Sequence, residues 1–202
     1  RGKQCVRIQT PANVGLREQD VSANPIEQFR AWLGEAAAAG VDEHNAMALA
    51  TATPDGFPSV RMVLLKEADD NFGFTWFTHY DSRKGKELEA NNKASLCFFW
   101  QPLSRAVRVE GLVQRISSEE SDRYFATRPY TAQIGAVASK QSTVLENRGV
   151  FENQIKTVEE QLRESQGLGP DAVPVVPRPA TWGGLRLEAQ VIEFWQGAGF
   201  SR

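Results

Sequence analysis

From residue 46 to residue 116 the apolar residues recur mainly with a period of two, and the runs are separated by short turns. Ala46 to Thr53 reads as one strand, Asp55-Gly56 as a hairpin-type turn and Ser59 to Lys66 as the next strand. After a turn at Asp69-Asp70-Asn71, Phe72, Phe74 and Trp76 alternate with Gly73, Thr75 and Phe77, giving a strand with one aromatic face that ends at Thr78. Ala94 to Gln101 and Arg105 to Ile116 complete the series. In the last of these, Val107, Val109 and Val113 face one way and Arg108 and Glu110 the other, as in a strand buried on one side. Strands joined by short turns pair antiparallel with their neighbours, and closing the sheet removes its exposed edges. The meander therefore points to an antiparallel barrel.

Helices flank and interrupt this meander. Asn24 is placed to cap a helix with Pro25 at its first position, and Ile26, Phe29 and Leu33 recur at helical spacing until Gly40. A second helix is expected from Ser82 to Asn91. Ser117 with Glu120 forms a capping-box pattern that starts a third, carrying Tyr124, Phe125 and Arg128 until Pro129 interrupts it. A short helical stretch follows at Gln133 to Ala138, then a charged amphipathic helix over 148–165, a Gly/Pro/Val-rich connector from Gly167 to Pro179, and a final strand from Gly184 to Trp195. The expected class is α+β, with a barrel domain over 24–202 and a polar arm over 1–23.

A net charge of -2 and a pI near 5.8 provide no general basic field, so a nucleic-acid or polyanion partner is disfavoured and any anion site must be local. Cys5 and Cys97 are far apart, and Cys97 lies in an apolar run that suits a reduced thiol. No stretch has the roughly 20 apolar residues a membrane helix needs, and the start has no signal-peptide core. A cytoplasmic location is expected, or an organelle stroma or matrix if a targeting segment has been removed.

Two local basic clusters meet that requirement. Arg61 and Lys66 bracket an apolar run, and Ser82-Arg83-Lys84-Gly85-Lys86 opens the second helix, where unpaired N–H groups already favour an anion. A five-residue separation puts Arg61 and Lys66 on opposite faces of a regular strand, so they serve different tasks. Tyr124 and Arg128, four apart, can converge on one phosphate. Spacing alone leaves solvated surface cations, or a cation stacked on the tyrosine, as alternatives. Gln141-Ser142 reads as a loop pair satisfying backbone, and Trp195 as a strand-end core residue. His44 and His79 lack acidic or thiol neighbours at ligand spacing, so no metal site is expected.

In order along the chain, Asn45-Ala46-Met47, Arg61 to Lys66, Ser82 to Leu88, Arg108-Val109-Glu110-Gly111, Tyr124-Phe125, Arg128-Pro129, Gln133 to Ala136, Gln141-Ser142, Trp182-Gly183-Gly184 and Glu193 to Gly197 resemble the pyridoxine (pyridoxamine) 5'-phosphate oxidase family over roughly residues 24 to 197. That resemblance implies a split barrel, a homodimer, and FMN held between subunits. FMN would meet Arg61, Met62, Val63, Leu64, Phe77, Thr78, Ser82, Arg83 and Lys84, with Gln141, Ser142 and Trp195 supplied by the partner. Lys66, Tyr124 and Arg128 would hold the substrate's phosphate, and Arg202 would begin the family's Arg-x-His-x-Arg segment, where the sequence ends. The implied reaction oxidises pyridoxine or pyridoxamine 5'-phosphate to pyridoxal 5'-phosphate by hydride transfer to flavin, with O2 giving hydrogen peroxide. Ala106 stands where the family usually has Gln, and Ala132 where it usually has Ser. These departures keep open a flavin- or pyridoxal-phosphate-binding protein without turnover. A split-barrel flavin reductase is the other alternative, against which the Tyr124 and Arg128 pair argues.

Overall fold

The computed structural model describes residues 15–197; Cys5 and Arg202 lie outside them, as do residues 1–14 of the expected arm. Within the described part of that arm, Leu16 packs against the main core and the Ser22 N–H donates to Gln28. The chain then forms α1 (Pro25–Ala38), β1 (Ala46–Ala52), β2 (Pro58–Leu64), β3 (Glu67–Ala68), β4 (Gly73–His79), α2 (Arg83–Ala90), β5 (Lys93–Trp100) and β6 (Arg105–Arg115). After these come α3 (Ser118–Thr127), α4 (Tyr130–Ala138), α5 (Arg148–Ser165) and β7 (Trp182–Gln196). Among the described residues no helix is long and apolar enough to cross a membrane.

The strands form one seven-stranded antiparallel sheet in the order β2-β1-β5-β6-β7-β4-β3. Laid flat, its two outer strands would stand about 29 Å apart at the usual inter-strand spacing. Yet only Leu65 and Lys66 separate β2 from β3 in the chain, a link that reaches at most about 10 Å. The sheet must curl until its edges meet. Backbone bonds tie the link down at both ends, from Leu65 N–H to Asn45 O at 2.9 Å, continuing the pairing of β2 with β1, and from Lys66 N–H to Thr75 O at 2.8 Å, continuing that of β3 with β4. The α+β antiparallel barrel expected from the meander, and the split barrel that the resemblance implies, agree with the fold observed.

The barrel's apolar faces and the stripe of α1 share one core. Phe29 meets Phe74 and Phe98 edge-on, at centroid distances of 5.0 and 4.9 Å. Ile26, Phe29, Phe74, Trp76 and Phe98 are fully buried, and each such side chain contributes about 1.5–3 kcal/mol relative to exposure. Asn24 caps α1 by accepting from the Ile26 N–H at 2.9 Å, and Ser117 and Glu120 make the reciprocal capping box on α3. A smaller apolar cluster of Phe125, Ile134, Ala136, Val176 and Trp182 joins α3 and α4 to the outer side of β7.

Local departures from the sequence pattern have identifiable causes. Phe72 does not belong to the aromatic face; its φ of 60° closes the Asp69–Gly73 turn and leaves it 42% exposed. Lys66 lies beyond the end of β2, in the seam. Arg128 lies outside α3 as its C-cap, with φ -73° and ψ 147°, because Pro129 disfavours helical backbone in the residue before it.

Gly85 lets α2 approach the end of β4, since a Cβ there would lie 2.1 Å from the Tyr80 carbonyl oxygen, far inside contact distance. Gly85→Ala should therefore destabilise the fold by about 1–3 kcal/mol, measured by urea denaturation; an unchanged midpoint would show that the helix shifts freely.

Candidate functional site

Between the barrel wall and the α3–α4 layer lies a cavity of about 650 Å3. β2 lines it with Met62, Val63 and Leu64, the seam with Lys66, β4 with Phe77 and Thr78, and α2 with Lys84. Tyr124 enters from α3, Arg128 from its C-cap and Gln141 from the loop after α4. Arg83 and Ser142 line an adjoining cleft that also contains Gln141 and Glu87. The remaining candidates lie elsewhere. Ser82 is buried and caps α2, accepting from the Gly85 N–H at 3.3 Å and donating to His79 O at 2.6 Å. Trp195, 41% exposed, pairs with Ala106 near the end of β7 and is not among the lining residues of either cleft.

The cations here fall into two electrostatic classes. Arg61 and Arg83 share one carboxylate: Glu87 lies 3.2 Å from Arg61 Nη2 and 2.9 Å from Arg83 Nε. Arg61 also donates to Leu49 O at 3.1 Å and Thr51 Oγ1 at 2.6 Å, and to Ser59. Burial pushes the Glu87 carboxyl up, but hydrogen bonds from Ser59, Thr51 and Arg83 outweigh it and hold it at about 2. Glu87 therefore stays ionised and fixes both guanidinium groups.

Lys84 and Arg128 have no such partner among the described residues. Lys84 is only 7% exposed, and its Nζ donates to neutral acceptors, Gln141 Oε1 at 2.8 Å and Thr78 Oγ1 at 3.2 Å. Burial, reinforced by Arg61, brings its pKa down to about 8. The Arg128 guanidinium lies 4.7 Å over the Trp182 ring and 5.6 Å from that of Phe125. Its Nη1 is buried without an acceptor, and burial lowers its pKa against the opposing influence of Tyr124. Burying an unpaired cation costs several kcal/mol. Two such cations on one cavity suit ligands that bring their own negative charge, and a guanidinium fork beside a phenol suits a phosphate. Gln141 reaches Lys84 from the same chain.

Comparison with known proteins gives this chemistry a lineage. A family model described as pyridoxamine 5'-phosphate oxidase matches residues 33–162. The chain belongs to this family. It is 45% identical over 205 residues to pyridoxine/pyridoxamine 5'-phosphate oxidase 1, chloroplastic, of Arabidopsis thaliana, covering 96% of this chain and 37% of that one. It is 50% identical over 182 residues to the pyridoxine/pyridoxamine 5'-phosphate oxidase of Cupriavidus taiwanensis, covering 90% of this chain and 81% of that one. Among solved structures, PhzG from Burkholderia lata 383 in complex with tetrahydrophenazine-1-carboxylic acid matches with a TM-score of 0.81 at 29% identity, over 94% of this chain and 89% of that one. A Nostoc punctiforme protein described as pyridoxamine 5'-phosphate oxidase-related and FMN binding shares the fold, with a TM-score of 0.63 at 16% identity over 83% of each chain.

Of the two positions that the resemblance marks as departures, Ala132 lines the cavity and Ala106 lies on β6 between Phe99 and Trp195. Sequence reasoning missed Glu87, Trp182 and His79. The four-residue spacing of Arg83 and Glu87 on a helix was the available signal for the first. His79 lines the cavity near Lys84 and Arg128, both of which help burial to lower its pKa; a lone histidine in sequence carried no trace of that.

Because the folded state holds Glu87 below its ordinary value near 4.5, its contribution is fully present above that pH and is lost as pH falls towards 2. Glu87→Gln should lower stability at neutral pH by about 2–4 kcal/mol and flatten the acid limb between pH 4.5 and 2. Denaturant titrations across that range check it, and parallel curves for the two proteins would refute it.

Proposed function

We propose that the protein oxidises pyridoxine 5'-phosphate or pyridoxamine 5'-phosphate to pyridoxal 5'-phosphate, with FMN as cofactor and O2 as electron acceptor. The observation that carries this reading is Arg128, a half-buried arginine whose Nη1 is buried without an acceptor and which has no carboxylate partner among the described residues, on a cavity shared with Tyr124 and Lys66. Family membership supplies the chemistry that such a phosphate grip serves. The alcohol substrate loses two electrons and two protons, which O2 takes up as hydrogen peroxide. For the amine, water completes the balance by releasing ammonia.

The donor set fits two phosphorylated ligands. Lys84, Arg83 and the Glu87-anchored Arg61 form a cationic group at the start of α2, suited to the cofactor's phosphate. Lys66, Tyr124 and Arg128 form the second group, suited to the substrate's. When bound, the flavin supplies a two-electron acceptor. The chain's own residues neutralise both phosphates, orient the substrate and limit water through the apolar wall of Met62, Leu64 and Phe77.

A homodimer is part of the proposal. One face of the sheet leaves Val60, Met62, Phe99 and Trp195 at 70, 64, 61 and 41% exposure, beside the small residues of β1, an apolar surface suited to a second copy. In this proposal Gln141, Ser142 and Trp195 reach the flavin of the partner subunit. Val60→Asp should convert dimer to monomer in sedimentation velocity and lower flavin occupancy; a dimer that persists with full occupancy would exclude this face.

The purified protein should be yellow and release hydrogen peroxide with either phosphorylated vitamer. Arg128→Ala should raise the KM for pyridoxine 5'-phosphate about 10- to 100-fold, as expected for losing a charged hydrogen-bond donor, and leave flavin content unchanged. Arg83→Ala should do the reverse. A flavin-loaded protein silent with both vitamers would overturn the reading in favour of a binding protein without turnover.

A further inference from the structure

We infer that Trp182 is a positioning residue for phosphate recognition, a platform that holds Arg128 and, through Phe77, Tyr124 in the orientation that grips the substrate's phosphate. The inference rests on the proposed function and assigns a task to a residue absent from both phosphate-binding groups above.

The geometry is specific. Trp182 is 4% exposed and lines the cavity, with the Arg128 guanidinium 4.7 Å over its ring. Arg128 has no carboxylate partner among the described residues, and its Nη1 has no acceptor, so aromatic faces do much of the work of setting its plane. On the other route, Phe77 stacks with Trp182 at 5.4 Å and 17°, and Tyr124 stacks with Phe77 at 3.8 Å and 14°. The three rings are nearly parallel, with 6° between Tyr124 and Trp182. One indole thus supports both a guanidinium and a phenol that converge on the same cavity.

The platform is itself fixed. Trp182 pairs with His79 across β4 and β7, its N–H donates to Pro179 O at 2.9 Å, and its carbonyl accepts from Arg178 at 2.6 Å. The next residue, Gly183, leaves no room for a Cβ against the Tyr80 hydroxyl, so the strand packs closely there. A flat, polarisable face keeps a cation in place without neutralising it, which a carboxylate would not do. The positive charge stays available for the incoming phosphate.

The test separates phosphate recognition from general packing. Anaerobic equilibrium dialysis of the flavin-loaded protein with pyridoxine 5'-phosphate and with pyridoxine measures the affinity ratio that the phosphate contributes. Trp182→Leu should lower that ratio about three- to thirtyfold, the range a partly to fully desolvated cation–aromatic contact supports. Trp182→Phe, which retains a ring, should keep most of it, and both substitutions should leave pyridoxine affinity unchanged. In an Arg128→Ala background, Trp182→Phe should have no more effect than on the weaker Tyr124 contact. Equal losses for both ligands, or a Phe variant as impaired as the Leu variant, would reduce Trp182 to a packing residue and overturn the inference. Should Trp182→Leu fail to fold, the Phe variant alone decides, through whether its small loss disappears without Arg128. Wild-type protein that prefers neither ligand would instead overturn the proposed function, and this inference with it.

Discussion

The link of Leu65 and Lys66 constrains everything else in the molecule. Two residues join the opposite edges of a seven-stranded sheet, so the sheet cannot lie open. Once it curls, β2 and β4 approach across the seam, and Met62 to Leu64 come to face Phe77 and Thr78 across one cavity. Lys66 is delivered to the cavity by the closure itself. The aromatic core of α1, β4 and β5 fills the interior that curling creates, so apolar burial and chain connectivity favour the same shape.

Within that shape, charge is handled in two opposite ways. Glu87 neutralises Arg61 and Arg83 in advance, at the wall of the barrel, where the cluster braces β1, β2 and α2. Lys84 is buried and Arg128 half-buried without an acid partner among the described residues, with an amide, a hydroxyl and aromatic faces for company. The first arrangement contributes stability in the absence of ligand. The second gives up stability and recovers it when an anion arrives, the general linkage between binding and folding. Arg83, Lys84 and Glu87 all stand on the short helix α2, so a braced cation and an unpaired one lie side by side on one rigid element.

Much of this was legible in the sequence because local rules and the fold agreed. Period-two runs became strands, Asn24 and Ser117 became caps, and the ordered motifs lined one cavity. The misreadings came where a single backbone angle overrides a side-chain pattern. Phe72 continues the aromatic alternation, yet a tight turn takes it out of the strand. Arg128 continues the helical spacing from Tyr124, yet Pro129 ends the helix first; the two side chains meet in the cavity by a route that helical geometry does not describe. Glu87 and Trp182 escaped for another reason. Their roles depend on partners brought together from distant strands and helices, and such pairings leave no periodic trace.

The small apolar cluster beneath α3 and α4 has a consequence for how such a protein diversifies. Phe125, Ile134, Ala136, Val176 and Trp182 form a group separate from the barrel's core. Of the residues suited to gripping a substrate, Tyr124 and Arg128 stand on or beside this group, while Lys66, Arg61, Arg83 and Glu87 belong to the barrel and to α2. Substitutions in the helical layer can accordingly alter which small molecule is accepted while the barrel keeps its stability and its other anion site. The architecture separates inheritance of the scaffold from experimentation with the ligand, and Ala132, at the cavity's α4 wall, is a position where such experimentation has a foothold.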